Sequence, residues 1–183
     1  AVHYPATIAP GEAFVARLRL AESDGRIRGD HTDPFVDFEA LMSQRIAEAD
    51  AFYDAVQAPG LSAEERDIQR QAYAGMLWTK QFYYYDVPQW IRGDPVGPPR
   101  ARPRVRNREW EHLHNFDVIS MPDKWEYPWY ACWDLAFHCL PLVQLDPDYA
   151  KRQIVLMTRE WYMHPNGQLP AYEWNYGDVN PPV

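Results

Sequence analysis

The sequence predicts a mainly α protein, its helices alternating with long aromatic loops, with one short β-strand near the N-terminus. Three observations carry that expectation. The hydrophobic period changes from two to about 3.6 near Asp33. Capping residues and prolines open helical stretches near Asp33, Ser62 and Asp146. Loops rich in rings and acids then recur after the helices, as a toroid of helical hairpins with its loops at one face would produce.

In chain order, residues 11–20 (GEAFVARLRL) put Phe14, Ala16, Leu18 and Leu20 on one side and Arg17 and Arg19 on the other, the pattern of a half-buried strand. Asp33-Pro34 supplies an N-cap and a first-turn proline. Phe35, Phe38, Met42, Ile46, Ala49 and Phe52 or Tyr53 continue from it as an apolar stripe that ends before Pro59-Gly60. Ser62 and Glu65 form a capping box opening a second helix, expected to run through QFYYY and stop before Pro88. Residues 93–107, with four prolines and four arginines, read as a long extended loop. A third helix is expected from Trp129 to Leu140 and a fourth from the DPD cap near 146 to about Met163, followed by a turn-rich C-terminal segment.

Composition excludes several classes of function. With 46% hydrophobic and 24% charged residues the chain reads as globular. A net charge of -8 argues against nucleic acid or an anionic membrane as partner. No run of 18 apolar residues exists, so no spanning helix is expected, and the start lacks the basic and apolar regions of a signal peptide. Cys132 and Cys139 lie on one expected helix, about 10 Å apart at roughly 1.5 Å per residue, too far to bridge. Free thiols fit a reducing, cytoplasmic setting.

Aromatics make up 15% of the chain, with 8 Trp, and they cluster with acids. Trp125-Glu126-Tyr127, Trp129-Tyr130, Trp133-Asp134 and Tyr172-Glu173-Trp174 are the densest mixtures. Sugar rings present apolar C–H faces inside a hydroxyl rim, so flat rings beside carboxylates suit a carbohydrate. Hydrolysis of a glycosidic bond further requires one carboxylic acid at the leaving oxygen and a second carboxylate for water or direct attack.

Trp133-Asp134-Leu135-Ala136-Phe137-His138 resembles the Trp-Asp-x-x-Phe-His signature of glycoside hydrolase family 63, which includes processing α-glucosidase I. The longer run SMPDKWEYPWYACWDLAFH and the later WYMHPNGQLPAYEWNYGDVNPPV are similar to its bacterial glucosidase-like branch. The resemblance covers residues 35–183. It implies that residues 31–183 are the N-terminal part of an (α/α)6 catalytic barrel and residues 1–30 the end of a preceding β-sandwich with its linker. It further implies inverting hydrolysis of an α-linked sugar, without cofactor or metal, with Asp134 as general acid. The loop around Leu169-Pro170, Glu173 and Asn180-Pro181-Pro182 is associated with sugar recognition by the same resemblance. The family's Glu-x-x-x-Asp element is not kept, since Asp178 lies five residues after Glu173. The family's general base lies far downstream, so this chain is expected to be one segment of a longer polypeptide and to act together with its remainder.

The residues singled out also have plainer readings. Asp134 near a helix start is also what the macrodipole favours, but its apolar neighbours Trp133, Leu135 and Phe137 would raise its pKa as a general acid requires. Trp125, Trp129 and Trp133 recur every four residues as a core stripe would, yet Pro128 breaks that helix and leaves Trp125 on a loop. His138 could bond Asp134 one turn away or simply satisfy the core. His112 and His114 lack a third metal ligand. Trp78 and QFYYY are assigned to packing. Expected substrate contacts are Trp125, Glu126, Trp129, Trp133, His138, Tyr172, Glu173, Trp174 and Asn180. A rival reading is a non-catalytic carbohydrate-binding or scaffold protein. A third is a lyase or epimerase using Tyr130 or His138 as base.

Overall fold

A computed structural model describes residues 3–18, 35–93, 95–97 and 106–181. It divides into two compact units, residues 1–55 and 56–183. In the first, Gly11 takes φ 82 in a turn closed by the Glu12 amide on the Ala9 carbonyl (3.0 Å). Residues 12–18 then run on without strand pairing. The strand expected at 11–20 is therefore not formed over its described part. Alternation alone does not make a strand, because the hydrogen-bonding groups need a neighbour. Helix α1 (Phe38–Val56) follows, with Arg17 paired to Glu39 and lying over the Phe38 ring. The expected Asp33-Pro34 cap lies outside the described residues.

The second unit opens with α2 (Ala63–Trp78). Its capping box forms as the sequence indicates: Ser62 accepts from the Glu65 amide and Glu65 accepts from the Ser62 amide. The helix stops at Thr79, and QFYYY lies in β1 (Lys80–Asp86), correcting the helix expected there. Consecutive bulky rings prefer a pleated surface with cross-strand partners, and β2 (His114–Ser120) supplies them in antiparallel register, from Lys80 opposite Ser120 to Asp86 opposite His114. Between the strands come α3 (Val87–Arg92), capped by Asp86, and a single 3₁₀ turn at Arg108–Trp110.

Helix α4 (Cys132–Leu145) starts three residues later than expected and continues past Pro141, while α5 (Pro147–Met157) is capped by Asp146 and ends one to two turns early. Lys80 binds Asp146 at 2.8 Å and so ties β1 to the α4–α5 junction. Gln153 on α5 clamps the outer edge of β2, donating to the Val118 carbonyl (3.1 Å) and accepting from the Ser120 amide (3.2 Å).

These described residues make an α+β arrangement of five helices and a two-stranded antiparallel sheet, which overturns the expected (α/α)6 toroid. A toroid needs successive antiparallel helix pairs. Here the ribbon interrupts the helices after α2, and α3 has only six residues. The core gathers between ribbon and helices around Trp110, Leu113, Ile119, Tyr130, Leu135, Leu142, Tyr162 and Tyr176, all nearly or fully buried. Among the described residues no helix is long and apolar enough to cross a membrane.

Two leucines on α4 check this packing. Leu142 is fully buried and Leu140 is 66% exposed. In the 183-residue chain by itself, Leu142→Ala should cost about 2–5 kcal/mol in urea unfolding, and Leu140→Ala within about 0.5 kcal/mol. Equal losses would mean that the buried face of α4 is misassigned.

Candidate functional site

The two aromatic-acid segments, some forty residues apart in sequence, meet through their backbones. Ala131 bridges Tyr172, the Cys132 amide donates to the Ala171 carbonyl (3.0 Å), and the Glu173 amide donates to the Tyr130 carbonyl (2.9 Å). Trp129 and Trp174 stand edge to face with centroids 5.9 Å apart. Asp134 lies in the first turn of the helix that leaves this junction. It is half-buried, and desolvation raises its carboxyl above the usual aspartate range.

Between residues 123 and 129 the chain forms a surface loop. Asp123 organises it by accepting from the amides of Trp125 (2.6 Å) and Glu126 (2.8 Å), bonds that hold its own carboxyl below the usual range. Trp125 is 80% exposed, and Glu126 and Tyr127 are exposed beside it. Trp78, assigned to packing from sequence, is also exposed, with the Lys124 ammonium 4.7 Å from its ring centre.

Glu173 is engaged at every polar atom. Oε2 accepts from the Tyr83 hydroxyl (2.7 Å), Oε1 accepts from Arg106 (2.9 Å), and the carbonyl accepts from Asn107 Nδ2. Arg106 lies over Trp174, its guanidinium carbon 4.0 Å from the ring centre. Glu173 is thus a structural junction before it is a sugar acceptor. Asn180 donates to the Leu169 carbonyl at 2.9 Å, and its buried Oδ1 has no partner. Trp133 and Tyr172 are half-buried.

His138 bonds Ser120 Oγ, and not Asp134, through Nδ1 at 2.7 Å. Thr79 Oγ1 donates to the Met76 carbonyl (2.7 Å), so Ser120 Oγ donates to Thr79 (2.6 Å) and accepts from His138 Nδ1–H. That order of donors leaves Nε2 carrying the lone pair of a neutral ring. Burial lowers the His138 pKa below its ordinary value. His112 is lowered as well, by burial, although its bond to the Met163 carbonyl (3.0 Å) opposes the shift. Its ring stands 5.5 Å from that of His164, while His114 is exposed on β2.

Both cysteines are free and buried, and burial pushes the Cys132 thiol up to about 11, away from nucleophilic use. No group of three or more His, Cys, Asp or Glu is gathered for a metal among the described residues. A groove of about 610 Å³ runs elsewhere, between β2 and α5, lined in part by Lys80, Asp117, Tyr149, Arg152, Arg159 and Trp161. Asp134 does not line it.

Sequence reasoning missed Tyr83, Arg106 and Asn107. Tyr83 was hidden in a run read as helix, and the other two in a proline-arginine loop. Asn107 did carry a signal: asparagine is the residue that, after glycine, best tolerates the left-handed backbone, and it sits at φ 61.

No protein-family model matches the chain, and no solved structure matches it. Among curated proteins it is similar to one from Saccharomyces cerevisiae named uncharacterized protein YMR196W. The two are 48% identical over 190 residues, which cover 100% of this chain and 18% of the yeast protein. The chain thus spans less than a fifth of that relative's length, and the resemblance to family 63 rests on the motifs quoted above.

Two measurements probe these roles. Glu173→Ala strips a largely buried arginine and a buried tyrosine of their partner, so it should destabilise the fold by about 2–3 kcal/mol, somewhat less than the roughly 3–5 kcal/mol that breaking a fully buried pair costs. A loss near zero in thermal or urea unfolding would end the junction reading.

His138 governs a pH effect. Its folded pKa lies below the unfolded value near 6.5, so the unfolded chain binds the proton more readily. Its contribution is present above about 6.5 and is lost as pH falls through the folded pKa. The stability of His138→Gln should therefore change less than wild type between neutral and mildly acid pH, and the difference between their profiles separates His138 from His112. Parallel profiles would show that His138 contributes nothing to the slope.

Proposed function

We propose that the junction of residues 129–134 with 171–174 is part of the sugar site of an inverting α-glycosidase, with Asp134 as its general acid. The observation that carries the reading is the backbone pairing of Tyr130–Cys132 with Ala171–Glu173. It unites the two segments richest in rings and acids at the head of the helix that bears Asp134.

The chemistry asks for a carboxylic acid that keeps its proton near the leaving oxygen. Desolvation of Asp134 acts in that direction. In a substrate complex, Asp134 would protonate the glycosidic oxygen while a second carboxylate, about 6.5–9.5 Å away, activates water on the opposite face of the ring. That partner would come from further sequence of a longer polypeptide. Trp125, Trp129 and Trp174 offer faces for sugar C–H groups, and Glu126 is an exposed acceptor for hydroxyls. A non-catalytic carbohydrate-binding role is the second reading. It is favoured by the 80% exposure of Trp125 and by the distinct location of the large groove, away from Asp134.

Asp134→Asn in the native-length protein separates the two. The amide is nearly isosteric but cannot donate the proton, so kcat/KM on an α-glycoside with a sugar leaving group should fall by about 10²–10⁴. An activated aryl glycoside needs less protonation and should lose less. Equal losses on both substrates would remove Asp134 as the acid. Binding without turnover by the wild type would support the binding protein, and an unsaturated product would support a lyase.

A further inference from the structure

The β1–β2 ribbon turns its more apolar face outward, while Gln81, Asn115 and Asp117 share the inward face with Tyr83, Tyr85 and Ile119. Inward, Tyr83, Asn115 and Ile119 are buried. Outward, Phe82 is 57%, Tyr84 52%, Phe116 62% and Val118 49% exposed. The register sets Phe82 opposite Val118 and Tyr84 opposite Phe116, and the Phe116 ring meets Phe82 at 5.0 Å and Tyr84 at 5.7 Å, both edge to face. An antiparallel sheet with one solvated face puts polar residues on that face, and this ribbon puts rings there instead. A two-stranded ribbon also needs packing to be stable on its own.

We infer that the outward face of this ribbon, centred on Phe82, Tyr84, Phe116 and Val118, is an internal surface covered by another part of a longer polypeptide. More than four-fifths of the yeast relative lies outside the matched stretch, so in a chain of that kind covering sequence is at hand. The four central residues are uncharged, while Lys80, paired with Asp146, and Val118's groove neighbours Arg152 and Arg159 lie toward one end and Asp86 and His114 toward the other, which suits an apolar cover with a charged rim. Helix α4 makes the same demand. Asp134 is its one charged residue, yet Phe137 is 47%, Leu140 66% and Val143 45% exposed, and a helix apolar all round belongs inside a larger core.

The test begins with the intact mass of the native protein. A product of 183 residues overturns the inference. In the native-length protein, hydroxyl-radical footprinting of the wild type, normalised to the urea-unfolded chain, should show Phe82, Tyr84 and Phe116 protected about tenfold or more relative to Trp125. A Val118→Cys variant should likewise resist maleimide at every protein concentration, while Asp148→Cys, at an exposed site, labels freely. The two native cysteines are buried and give little background. Labelling of Val118→Cys as fast as Asp148→Cys would leave the face open to solvent and overturn the inference. Protection lost on dilution would assign the face to a second copy and overturn it too. Asp134 lies outside this surface, so the footprinting and labelling outcomes are separate from the kinetic outcome of the glycosidase reading, whereas a 183-residue product would count against both.

Discussion

Glu173 holds together three parts of the second unit that no regular element connects. Its carboxylate accepts from Tyr83 on β1 and from Arg106 on the loop before β2, and its amide donates to Tyr130 just before α4. A carboxylate with so little access to water is stable only when each oxygen has a donor, and a guanidinium with a buried neighbour provides charge as well as geometry. Asn107 completes the arrangement by bonding the Glu173 carbonyl and, through Oδ1, accepting from the Tyr176 amide at 2.8 Å. The C-terminal turns are irregular, and their order comes from these side chains instead of a ladder.

That constraint fixes the aromatic core behind it. With Tyr130 and Ala171 held by backbone bonds, the rings of Tyr162, Tyr176 and Tyr83 come to 5.3, 6.3 and 6.4 Å from that of Tyr130. Burial raises the phenols of Tyr83, Tyr130, Tyr162 and Tyr176 above their ordinary range, so these rings stay neutral and serve packing. The density of aromatic residues that suggests a sugar cleft in the sequence therefore divides in two. Some rings build the core under the junction, and Trp125, Tyr127 and Trp174 remain at the surface.

The legible parts of the sequence were those where one local rule acts alone. Ser62 with Glu65 and Asp146 before Pro147 are satisfied by atoms within one turn, so their caps could be read without knowing the fold. The spacing of Cys132 and Cys139 excluded a bridge for the same local reason. Residues 80–86 were illegible because rings at successive positions have no period, and only the partner strand at 114–120 decides between helix and sheet. The segment at 11–18 failed in the opposite way, having the period of a strand and no paired neighbour. At the candidate site, the two segments singled out by their rings and acids are the ones that Ala131 and Tyr172 bridge. The binding of Glu173 by Tyr83 and Arg106 was not anticipated, since three distant residues with no common motif make it.

The exposed apolar side of α4 bears on the chemistry proposed for its first turn. Asp134 is raised by desolvation although it is only half-buried, with no neighbouring charge acting in that direction. Desolvation grows with every apolar atom that replaces water near the carboxyl, while a hydrogen bond or cation would act against it. Cover laid over Phe137 and Leu140, one and two turns along the same helix, would thin the water around Asp134 and raise its pKa further unless that cover brought a donor or a positive charge. The working pKa of such an acid is therefore a property of the assembled polypeptide, and the helix alone fixes only its direction.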